Sequence, residues 1–437
     1  MAPADVVKEG SHFDLPITLG LLCVLGIIPN DVLDEYLVLG ELALDGSLSK
    51  INGTLPSAIF ANSRNKGIIC PASCGSEALW AGDDIDILAP NNLLELLNHF
   101  KGNQSLELPE KIEEVKENHL LDMADVKGQE KAKRALEIVA AGGHNMLMVG
   151  PPGSGKSMIA SRLPTILPAL TAKESLETSM IHSLAGMLDG GQILRSRPYR
   201  DPHHSASLPS LIGGGVKAKP GEVSIAHNGV LFLDELPEFS RASLETLRQP
   251  LETKKAVIAR ANSHLTYPAD FQLICAMNPC RCGHYGDRDK ECSRAPKCAS
   301  EYQNKISGPL YDRIDVHVEM QPVKISDLAS SRAGEPSSEI RKRVTKARKI
   351  QAKRYESLGL DIKTNSLLSG NILDDVCNLS EGALKVLQNH ANELDLTARS
   401  YYRILKVART IADLESCQDV EEIHLLEALS YKRKVPK

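Results

Sequence analysis

The sequence is poor in aromatic residues and carries no large net charge. Phe, Trp and Tyr make up 4% of the 437 residues, and Trp80 is the one tryptophan. We therefore expect cores built mostly from aliphatic side chains. The formal net charge of −5 excludes a protein that is basic throughout, so any surface for nucleic acid must be local. The length allows two to four domains.

The sequence also lacks a membrane-spanning run and a visible secretion signal. The longest apolar run, Leu15–Ile28, is about half as long as a span and contains Pro16. We interpret this run as a buried helix and expect a cytoplasmic, reducing compartment. Four of the ten cysteines fall between Cys280 and Cys298, and in such a compartment this cluster is better explained by metal binding than by disulfide bonds.

A glycine-rich stretch, Asn145–Met158, indicates nucleotide binding. It contains a match to the P-loop pattern G-x-x-x-x-G-K-[ST], formed by Gly150, Pro151, Pro152, Gly153, Ser154, Gly155, Lys156 and Ser157. The glycines let backbone N–H groups converge on phosphates, Lys156 would reach the β- and γ-phosphates, and the Ser157 hydroxyl would bind Mg²⁺. An apolar strand precedes the loop and a helix follows it, which favours a phosphate site over an ordinary turn.

Two further apolar segments end in polar residues that suit the same site. The strand Gly229–Glu235 ends in Asp234, which would hold Mg²⁺ through the water shell of the ion, and in Glu235, which would act as general base toward water. The strand Phe271–Pro279 ends near Asn278, which would hydrogen-bond the γ-phosphate or the water. Parallel strands bring their carboxyl ends to one crevice, so these side chains should lie beside the P-loop. The alternative for Asp234 and Glu235 is a strand that merely ends in solvated acids, and the alternative for Asn278 is a simple Asn-Pro turn.

The order of these segments resembles the ComM/YifB family of magnesium-chelatase-like AAA+ ATPases. The stretches that carry the resemblance include RPYRDPHHSASLPSLIGGG, KPGEVSIAHNGVLFLDELPEFSR and GPLYDRIDVHVEM. The resemblance covers nearly the whole chain. It implies an α/β fold, in which a P-loop AAA+ core has a parallel sheet with helices on both faces. A Lon-protease-like α+β domain would precede this core, and a helical lid would follow it.

The resemblance divides the chain into four parts. Residues 1–100 would form the Lon-protease-like domain, residues 101–121 a linker, residues 122–325 the AAA+ domain and residues 326–437 the lid. The stretch KEGSHFDLPITLGLL implies that the chain begins inside the first domain. The Ser–Lys pair of Lon proteases aligns near His12 and Leu55, which cannot supply that nucleophile. We therefore expect a non-catalytic scaffold or assembly module.

Arginine roles also follow from the resemblance. Arg313 is the candidate finger that enters the site of a neighbouring subunit, and the alternative is a salt bridge to Asp312 or Asp315. Arg399 corresponds to the sensor-2 position, where it would contact the γ-phosphate and couple the lid to the nucleotide. Arg403, on the same helix, is the competing candidate.

Two segments are expected to form hairpins that line the pore of a ring. They are Gly213–Gly221, with Lys217 and Lys219, and Lys254–Tyr267. Basic side chains there would contact DNA phosphates without reading sequence. The alternative is a pair of solvated surface hairpins.

Two other basic features receive a plainer interpretation. His203 and His204 are expected to make structural hydrogen bonds, since no acid or cysteine lies at a metal-binding spacing. The helix Glu339–Tyr355 carries eight basic residues and one acidic residue. A solvated face explains this helix best, and contact with nucleic acid is the alternative.

Four cysteines cluster in one insert, residues 280–298, with the spacing C-x-C-x₉-C-x₅-C. Cys280, Cys282, Cys292 and Cys298 could close a tetrahedral Zn²⁺ site, with His284 as a substitute ligand. The alternative is a set of reduced, buried thiols. The insert is locally basic, through Arg281, Arg288, Lys290, Arg294 and Lys297.

Together these features predict an ATP-hydrolysing motor with Mg²⁺. The resemblance implies a ring, expected to be a hexamer, that acts on single-stranded or branched DNA as a helicase or branch-migration factor in DNA uptake and recombination. The alternatives are a chelatase-like motor and a protein-remodelling ATPase without DNA translocation. An ATP-dependent protease is disfavoured, because the Ser–Lys pair is missing.

Overall fold

The chain folds into two compact units. The computed structural model describes residues 11–29, 32–110, 121–188, 190–215, 218–260, 263–285, 292–322, 334–393 and 397–432. The first unit comprises residues 1–117 and 170–195, and the second comprises residues 118–169 and 196–437. Within the described ranges, no helix combines the length and apolar character that crossing a bilayer requires.

Helices and strands alternate through most of the chain. The helices are α1 Asp14–Val24, α2 Val32–Glu35, α3 Thr54–Ser63, α4 Ala72–Ala78, α5 Leu93–Phe100, α6 Glu130–Gly142, α7 Lys156–Ala160, α8 Leu163–Ile166, α9 Ala172–Ala185, α10 Leu208–Ile212, α11 Glu222–Ile225, α12 Arg241–Thr246, α13 Arg248–Thr253, α14 Lys297–Gln303, α15 Gly308–Tyr311, α16 Ser337–Ser357, α17 Asn371–Val376, α18 Glu381–Glu393, α19 Ala398–Glu415 and α20 Glu422–Leu429. The strands are β1 Tyr36–Val38, β2 Glu41–Leu42, β3 Leu48–Ser49, β4 Gly67–Ile69, β5 Ile87–Leu88, β6 Met146–Val149, β7 Tyr199–Arg200, β8 Gly213–Gly214, β9 Lys219–Pro220, β10 Val230–Leu233, β11 Lys255–Arg260, β12 Ser263–Pro268, β13 Gln272–Met277 and β14 Val316–Glu319.

The first unit contains a three-stranded parallel sheet in the order β1-β4-β5. Successive residues of a strand point to opposite faces, and the central strand β4 follows this rule. Ile68 packs in the cluster that includes Ala58 of α3, whereas Ile69 packs in the cluster that includes Leu15 of α1. The helix predicted within Leu15–Ile28 is present, but it is buried on one side only. Leu15, Leu19 and Cys23 are buried, whereas Leu21 and Val24 are exposed.

Residues 170–195 depart from the predicted domain limits, which assigned them to the AAA+ part at 122–325. Helix α9 packs on α3 inside the first unit. Gly53 donates a backbone hydrogen bond to Ser183 at 3.1 Å. The buried carboxylate of Glu77 accepts from the Leu55 amide at 2.9 Å and from the Ser183 hydroxyl. A buried carboxylate requires such partners. Glu77 therefore fastens residues 170–195 to the rest of the first unit.

The second unit is organised by a five-stranded parallel sheet in the order β14-β6-β13-β10-β7. Met146 of β6 lies opposite both Ile274 of β13 and Val316 of β14, and Val230 of β10 lies opposite Gln272. The β6 strand therefore lies inside the sheet, between β14 and β13, and the P-loop that follows it is flanked by the ends of these two strands.

Helices cover both faces of this sheet, as the α/β prediction requires. Met146 and Met148 of β6 belong to one buried cluster, together with residues of α6, α16 and α19. The intervening Leu147 belongs to the other cluster, together with residues of α12 and α15. Strands buried on both faces are apolar throughout, which explains the continuous apolar runs in the sequence.

The C-terminal helices share the first of these two clusters with the sheet. Val344 of α16, Ile411 of α19 and Leu425 of α20 lie in the same buried cluster as Met146. Fully buried Arg409 pairs with Asp413 at 3.0 Å and donates to backbone carbonyls of residues 417 and 418. The predicted helical lid is present, and it is continuous with the sheet core.

Gly229 permits the close pairing of β7 and β10, and we predict that Gly229→Ala destabilises the fold. A Cβ atom at Gly229 would lie 2.1 Å from the Pro198 carbonyl oxygen, which accepts a hydrogen bond from Val230 at 2.8 Å. Overpacking of this kind lowers the free energy of unfolding by about 1–3 kcal/mol. Thermal melting should show a lower midpoint for this variant.

Gly308→Ala is the matched control for this stability prediction. A Cβ atom at Gly308 would meet nothing within 4 Å, so its melting midpoint should stay near that of the unmodified chain. Equal midpoints for the two variants would contradict the packing argument at Gly229.

Candidate nucleotide-binding site

The P-loop curls directly after β6, the strand between β14 and β13. Gly153 and Gly155 have φ angles of +75° and +87°, which only glycine adopts readily. A Cβ atom at Gly150 would lie 2.8 Å from the Met320 carbonyl oxygen. Helix α7 begins at Lys156, so its free N–H groups lie at the end of the loop, where phosphate would be bound.

Lys156 lies at the centre of this loop. Its ammonium donates to the carbonyl oxygens of Gly150 at 2.8 Å and Pro151 at 3.0 Å, and to Asn278 Oδ1 at 3.2 Å. Burial lowers the pKa of Lys156, and the nearby carboxylates of Asp234 and Glu235 oppose that shift. The predicted neighbours of the P-loop therefore do converge on its lysine.

Ser157 and Asp234 meet across the same crevice. The Ser157 hydroxyl donates to Asp234 Oδ2 at 2.7 Å, although the two residues are 77 positions apart in the sequence. Neighbouring oxygen ligands of an octahedral Mg²⁺ ion are roughly 2.9 Å apart, given Mg–O distances of about 2.0–2.1 Å. A hydroxyl and a carboxylate at this separation fit the requirements of Mg²⁺.

Glu235 turns away from Asp234 toward a histidine. The residue has a φ of +50°, and its backbone N–H donates to Asp234 Oδ1 at 2.9 Å. Its Oε2 atom lies 3.5 Å from His204 Nδ1. The two acids that end β10 thus face different partners, Ser157 and His204.

His204 is a site residue that the sequence analysis missed. The rings of His203 and His204 lie 4.0 Å apart, and His203 makes the expected structural hydrogen bond, to Ser205 Oγ at 2.7 Å. His204 instead contacts Glu235. The strand order explains the difference, because β7 pairs with β10 and the residues after both strands emerge at one edge of the sheet.

Arg313 lies at the other edge of the sheet. It precedes β14, whereas the P-loop follows β6, which is parallel to β14. The guanidinium donates to the Pro309 carbonyl at 2.6 Å and forms an ion pair with Glu252. The alternative of a pairing with Asp312 or Asp315 is wrong. Burial, followed by the charges of Arg248 and Arg399, lowers the pKa of Arg313.

Arg399 and Arg403 lie with Arg313 and not with the P-loop. Arg399 Nη1 is 3.0 Å from Asp312 Oδ2, and Arg403 donates to the carbonyl oxygens of Tyr311 and Ile314 at 3.0 and 3.1 Å. A contact between Arg399 and the γ-phosphate of its own chain does not fit this position.

The basic helix α16 is solvated on one side and tied to the core by arginines on the other. Arg341 donates to the Thr165 carbonyl oxygen at 2.8 Å and Arg348 to that of Ala140 at 2.9 Å. Arg343 binds Glu137, and Arg354 binds the buried carboxylate of Asp413. These arginines fasten one side of the helix to the core, whereas its lysines are exposed and form the solvated face that the sequence predicts: Lys342, Lys346, Lys349 and Lys353.

The two predicted hairpins are present and lie against each other. Strands β11 and β12 pair in antiparallel register, as do β8 and β9. The Tyr267 hydroxyl donates to the Ala218 carbonyl oxygen at 3.0 Å, and a Cβ atom at Gly213 would lie 2.7 Å from Ile258 Cδ1. Lys219 is exposed. Lys217 and the turn residues 261–262 lie outside the described residues.

The cysteines of the insert come together beside the P-loop. Cys280 Sγ lies 3.1 Å from Cys282 Sγ, and the sulfur atoms of Cys280, Cys282 and Cys298 all lie within 4.8 Å of one another. Cys292 interacts with the thiols of both Cys282 and Cys298. His284 is not among the grouped ligand atoms. Arg288 and Lys290 lie outside the described residues.

Comparison with known families agrees with this architecture. The model of magnesium chelatase subunit ChlI matches residues 122–328, that of the ChlI C-terminal region matches residues 334–432, and that of subunit ChlI of Mg-chelatase matches residues 1–74. The protein is therefore an AAA+ ATPase of the magnesium-chelatase type.

Individual relatives identify the family within this class to which the chain belongs. Competence protein ComM of Haemophilus influenzae is 41% identical over 443 residues, covering 100% of this chain and 85% of that protein. YifB of Escherichia coli is 41% identical over 434 residues, covering 99% and 84%, and Rv2897c of Mycobacterium tuberculosis is 38% identical over 436 residues, covering 99% and 86%. The chain belongs to the ComM/YifB family, which confirms the resemblance found in the sequence.

We predict that His204→Ala raises the basal rate of ATP hydrolysis. His204 contacts the carboxylate of Glu235, the candidate general base, and an exposed contact of this kind contributes no more than a surface ion pair, about 0.2–1 kcal/mol. Releasing the carboxylate should raise kcat up to about fivefold while the Kd for ATP stays constant. Steady-state kinetics and a nucleotide titration measure the two quantities.

His203→Ala serves as the control, because its ring nitrogen binds Ser205 and not Glu235. Its kcat should match that of the unmodified chain. A fall in kcat for His204→Ala would instead mean that the histidine orients Glu235 productively, and the prediction would be wrong.

Proposed function

We propose that this chain is a subunit of an ATP-driven hexameric ring that moves on DNA and promotes strand separation or branch migration during DNA uptake and recombination. The observation that carries the proposal is the convergence of Lys156, Ser157, Asp234 and Asn278 in one crevice. The family supports ATP and Mg²⁺ as ligands, and the donor atoms described above suit both.

Each residue of the crevice has a separate role in the proposed hydrolysis of ATP. Lys156 releases its two loop carbonyls and binds phosphate oxygens, while Ser157 and Asp234 bind Mg²⁺, which neutralises charge on the phosphates. Glu235 accepts a proton from the attacking water. Asn278, which contacts the Lys156 ammonium, orients that water or the γ-phosphate.

The position of Arg313 supports catalysis between subunits. An arginine at the amino edge of the sheet cannot serve the P-loop at the carboxyl edge of the same sheet. In a closed ring, one face of each subunit meets the opposite face of the next, which brings the two edges together. Arg399 lies beside Arg313 and would enter the neighbouring site with it.

We predict that Arg313→Ala and Glu235→Gln subunits complement each other when they are mixed. Each variant alone should bind ATP and hydrolyse it slowly, with a loss of roughly 10³–10⁵ for the arginine. In a random equal mixture, half the sites keep Glu235 and half of their neighbours keep Arg313. Turnover should therefore recover to about a quarter of the unmodified rate, measured as phosphate release.

The control for this mixture pairs Arg313→Ala with the double variant Glu235→Gln/Arg313→Ala. No neighbour in that mixture carries the arginine, so turnover should remain at the level of the single variants. If the first mixture also fails to recover while both variants still assemble, the arginine acts within its own chain and the proposed arrangement is wrong.

The two hairpins support DNA as the substrate. They pack on each other through Tyr267 and Gly213, and exposed Lys219 and Lys255 add local positive charge to a chain that is negative overall. Such lysines bind phosphates without regard to sequence. A relative that is 41% identical carries the name of a competence protein, which supports a role in DNA uptake.

A second candidate function is a motor that acts on another protein or on a chelatase partner. The match to magnesium chelatase subunit ChlI over residues 122–328 favours it. Both candidates require the same ATP site, so hydrolysis alone does not separate them. Stimulation of hydrolysis by DNA does, because only the DNA motor couples its cycle to a nucleic acid.

We predict that forked or single-stranded DNA raises the ATPase rate and that Lys219→Ala weakens this stimulation. Removing one phosphate contact should reduce the salt slope of DNA binding by about one, without changing the rate in the absence of DNA. ATP hydrolysis and displacement of a labelled strand are measured across a salt series.

Lys342→Ala is the matched control, since Lys342 is exposed and pairs with Glu339 at 2.7 Å, far along the sequence from the hairpins. Lys156→Ala provides the baseline without nucleotide-dependent activity. If no DNA structure stimulates ATP hydrolysis, the DNA proposal is wrong and the second candidate function is favoured.

A further inference from the structure

One asparagine side chain connects neighbouring strands at the amino edge of the five-stranded sheet. Asn145 directly precedes β6. Its Nδ2 atom donates to the carbonyl oxygen of Arg313 at 2.8 Å, and its Oδ1 atom accepts from the backbone N–H of Leu273 in β13 at 2.8 Å. Its own carbonyl accepts from Asp315 and Val316, where β14 begins, at 3.1 Å each. One residue therefore ties β6 both to β13 and to the segment that carries Arg313.

The two partners settle which way the Asn145 amide points. A backbone N–H group donates and a backbone carbonyl group accepts. The side-chain oxygen must therefore face Leu273, and the side-chain nitrogen must face Arg313. A carboxylate at this position could still accept from Leu273 but could not donate to Arg313, so the two hydrogen bonds can be separated by a single substitution.

The backbone of Arg313 is fixed by hydrogen bonds on both of its polar groups. Its N–H donates to the Leu310 carbonyl at 3.0 Å, and its carbonyl accepts from Asn145. The carbonyl of the next residue, Ile314, accepts from Arg403 at 3.1 Å. Because an arginine side chain has many rotamers, the position of its guanidinium depends on a backbone that does not move.

Asn145 lies at the opposite end of β6 from the P-loop. The four residues Met146–Val149 separate the two, a distance of about 13 Å at about 3.3 Å per residue. The Asn145 side chain is thus too far away to contact a nucleotide bound at the P-loop of its own chain. Since β6 pairs with β13 on one side and with β14 on the other, the asparagine ties Arg313 to a strand that is itself held on both sides.

We propose that Asn145 is a positioning residue that holds Arg313 in place for the nucleotide site of the neighbouring subunit. The inference rests on the proposed function, in which Arg313 acts between subunits. Although Asn145 stands shortly before the P-loop in the sequence, loss of its amide should impair hydrolysis at the neighbour's site and leave the site of its own chain intact.

The first test is the kinetics of Asn145→Asp in the full chain. The carboxylate keeps the acceptor for Leu273 and repels the carbonyl of Arg313. Because displacement of a catalytic group by about 1 Å can cost about 10²-fold in rate, kcat should fall about ten- to a hundredfold, while the Kd for ATP stays constant. Asn145→Ala, which loses both hydrogen bonds, replaces this variant if the carboxylate prevents assembly. An unchanged kcat in assembled protein would overturn the proposal.

Mixed assemblies show which site the asparagine serves. In an equal mixture of Asn145→Asp and Glu235→Gln subunits, about a quarter of the sites combine an intact Glu235 with a well-placed Arg313 from the neighbour, so turnover should recover to about a quarter of the unmodified rate. In a mixture of Asn145→Asp with Arg313→Ala, no subunit presents a well-placed arginine. Turnover there should stay at the level of the separate variants.

The opposite pattern in the two mixtures would overturn the proposal. If Asn145 shaped the P-loop of its own chain, the mixture with Arg313→Ala would recover and the mixture with Glu235→Gln would not. A general structural defect would recover in neither mixture, because a damaged subunit supplies neither a working site nor a placed arginine, and that result would also contradict the positioning role.

Gln272→Leu is the matched control for loss of an amide at the same edge of the sheet. The Gln272 side chain donates to the carbonyl oxygens of Val139 at 2.9 Å and His144 at 3.3 Å, and both acceptors lie outside residues 313–315. Its kcat should match that of the unmodified chain. A fall as large as that of Asn145→Asp would mean that any lost amide here slows hydrolysis, and the assignment to Asn145 would be wrong.

The mixture of Arg313→Ala with Glu235→Gln separates a failure of this inference from a failure of the proposed function. If that mixture recovers and the mixture of Asn145→Asp with Glu235→Gln does not, Arg313 acts between subunits without help from Asn145, and the positioning role alone is wrong. If neither mixture recovers although all variants assemble, Arg313 does not act between subunits, and the proposed arrangement of the ring fails as well.

Discussion

The parallel pairing of β6, β13 and β10 is the constraint on which the rest of the second unit depends. In register, the three strands end together, so that Lys156, Asn278 and Asp234 meet although more than 120 positions separate the first two. Ser157 follows β6 and Asp234 follows β10, and both strands pair in parallel register with β13. This register brings the two side chains close enough for their hydrogen bond. A shift of one residue in either pairing would turn alternate side chains to the wrong face.

The same sheet separates the two halves of the catalytic machinery. Residues that follow the strands gather at the carboxyl edge, where phosphate and Mg²⁺ would be bound. Residues that precede β14 and open α19, including Arg313 and Arg399, gather at the amino edge. One chain thus carries a nucleotide crevice and a set of arginines that cannot reach it. If the proposed ring forms, this division means that an isolated subunit would lack the arginines of its neighbour and would hydrolyse ATP slowly.

The sequence predicted what local pattern determines and missed what strand order determines. The apolar strand before the P-loop and the helix after it follow from the apolar run and the glycines, and the structure confirms both. The contact of His204 with Glu235 required knowing that β7 is the neighbour of β10. The inward arginines of α16 looked solvated, because a charge count does not reveal carboxylates and carbonyls on other helices. Likewise, nothing local showed that α9 joins the first unit.

A buried polar network accounts for the fixed position of the lid. The His144 side chain is fully buried and bridges Asp315, at 3.1 Å, and Thr410 of α19, at 2.8 Å. Burial alone would raise the pKa of Asp315, but the hydrogen bond from His144 and the charges of Lys406 and Arg403 lower it. Breaking such a network leaves buried groups unsatisfied, at about 1–3 kcal/mol each. The lid arginines therefore keep their place beside Arg313. In the proposed ring, a change in the nucleotide would move them as part of the whole subunit against its neighbour.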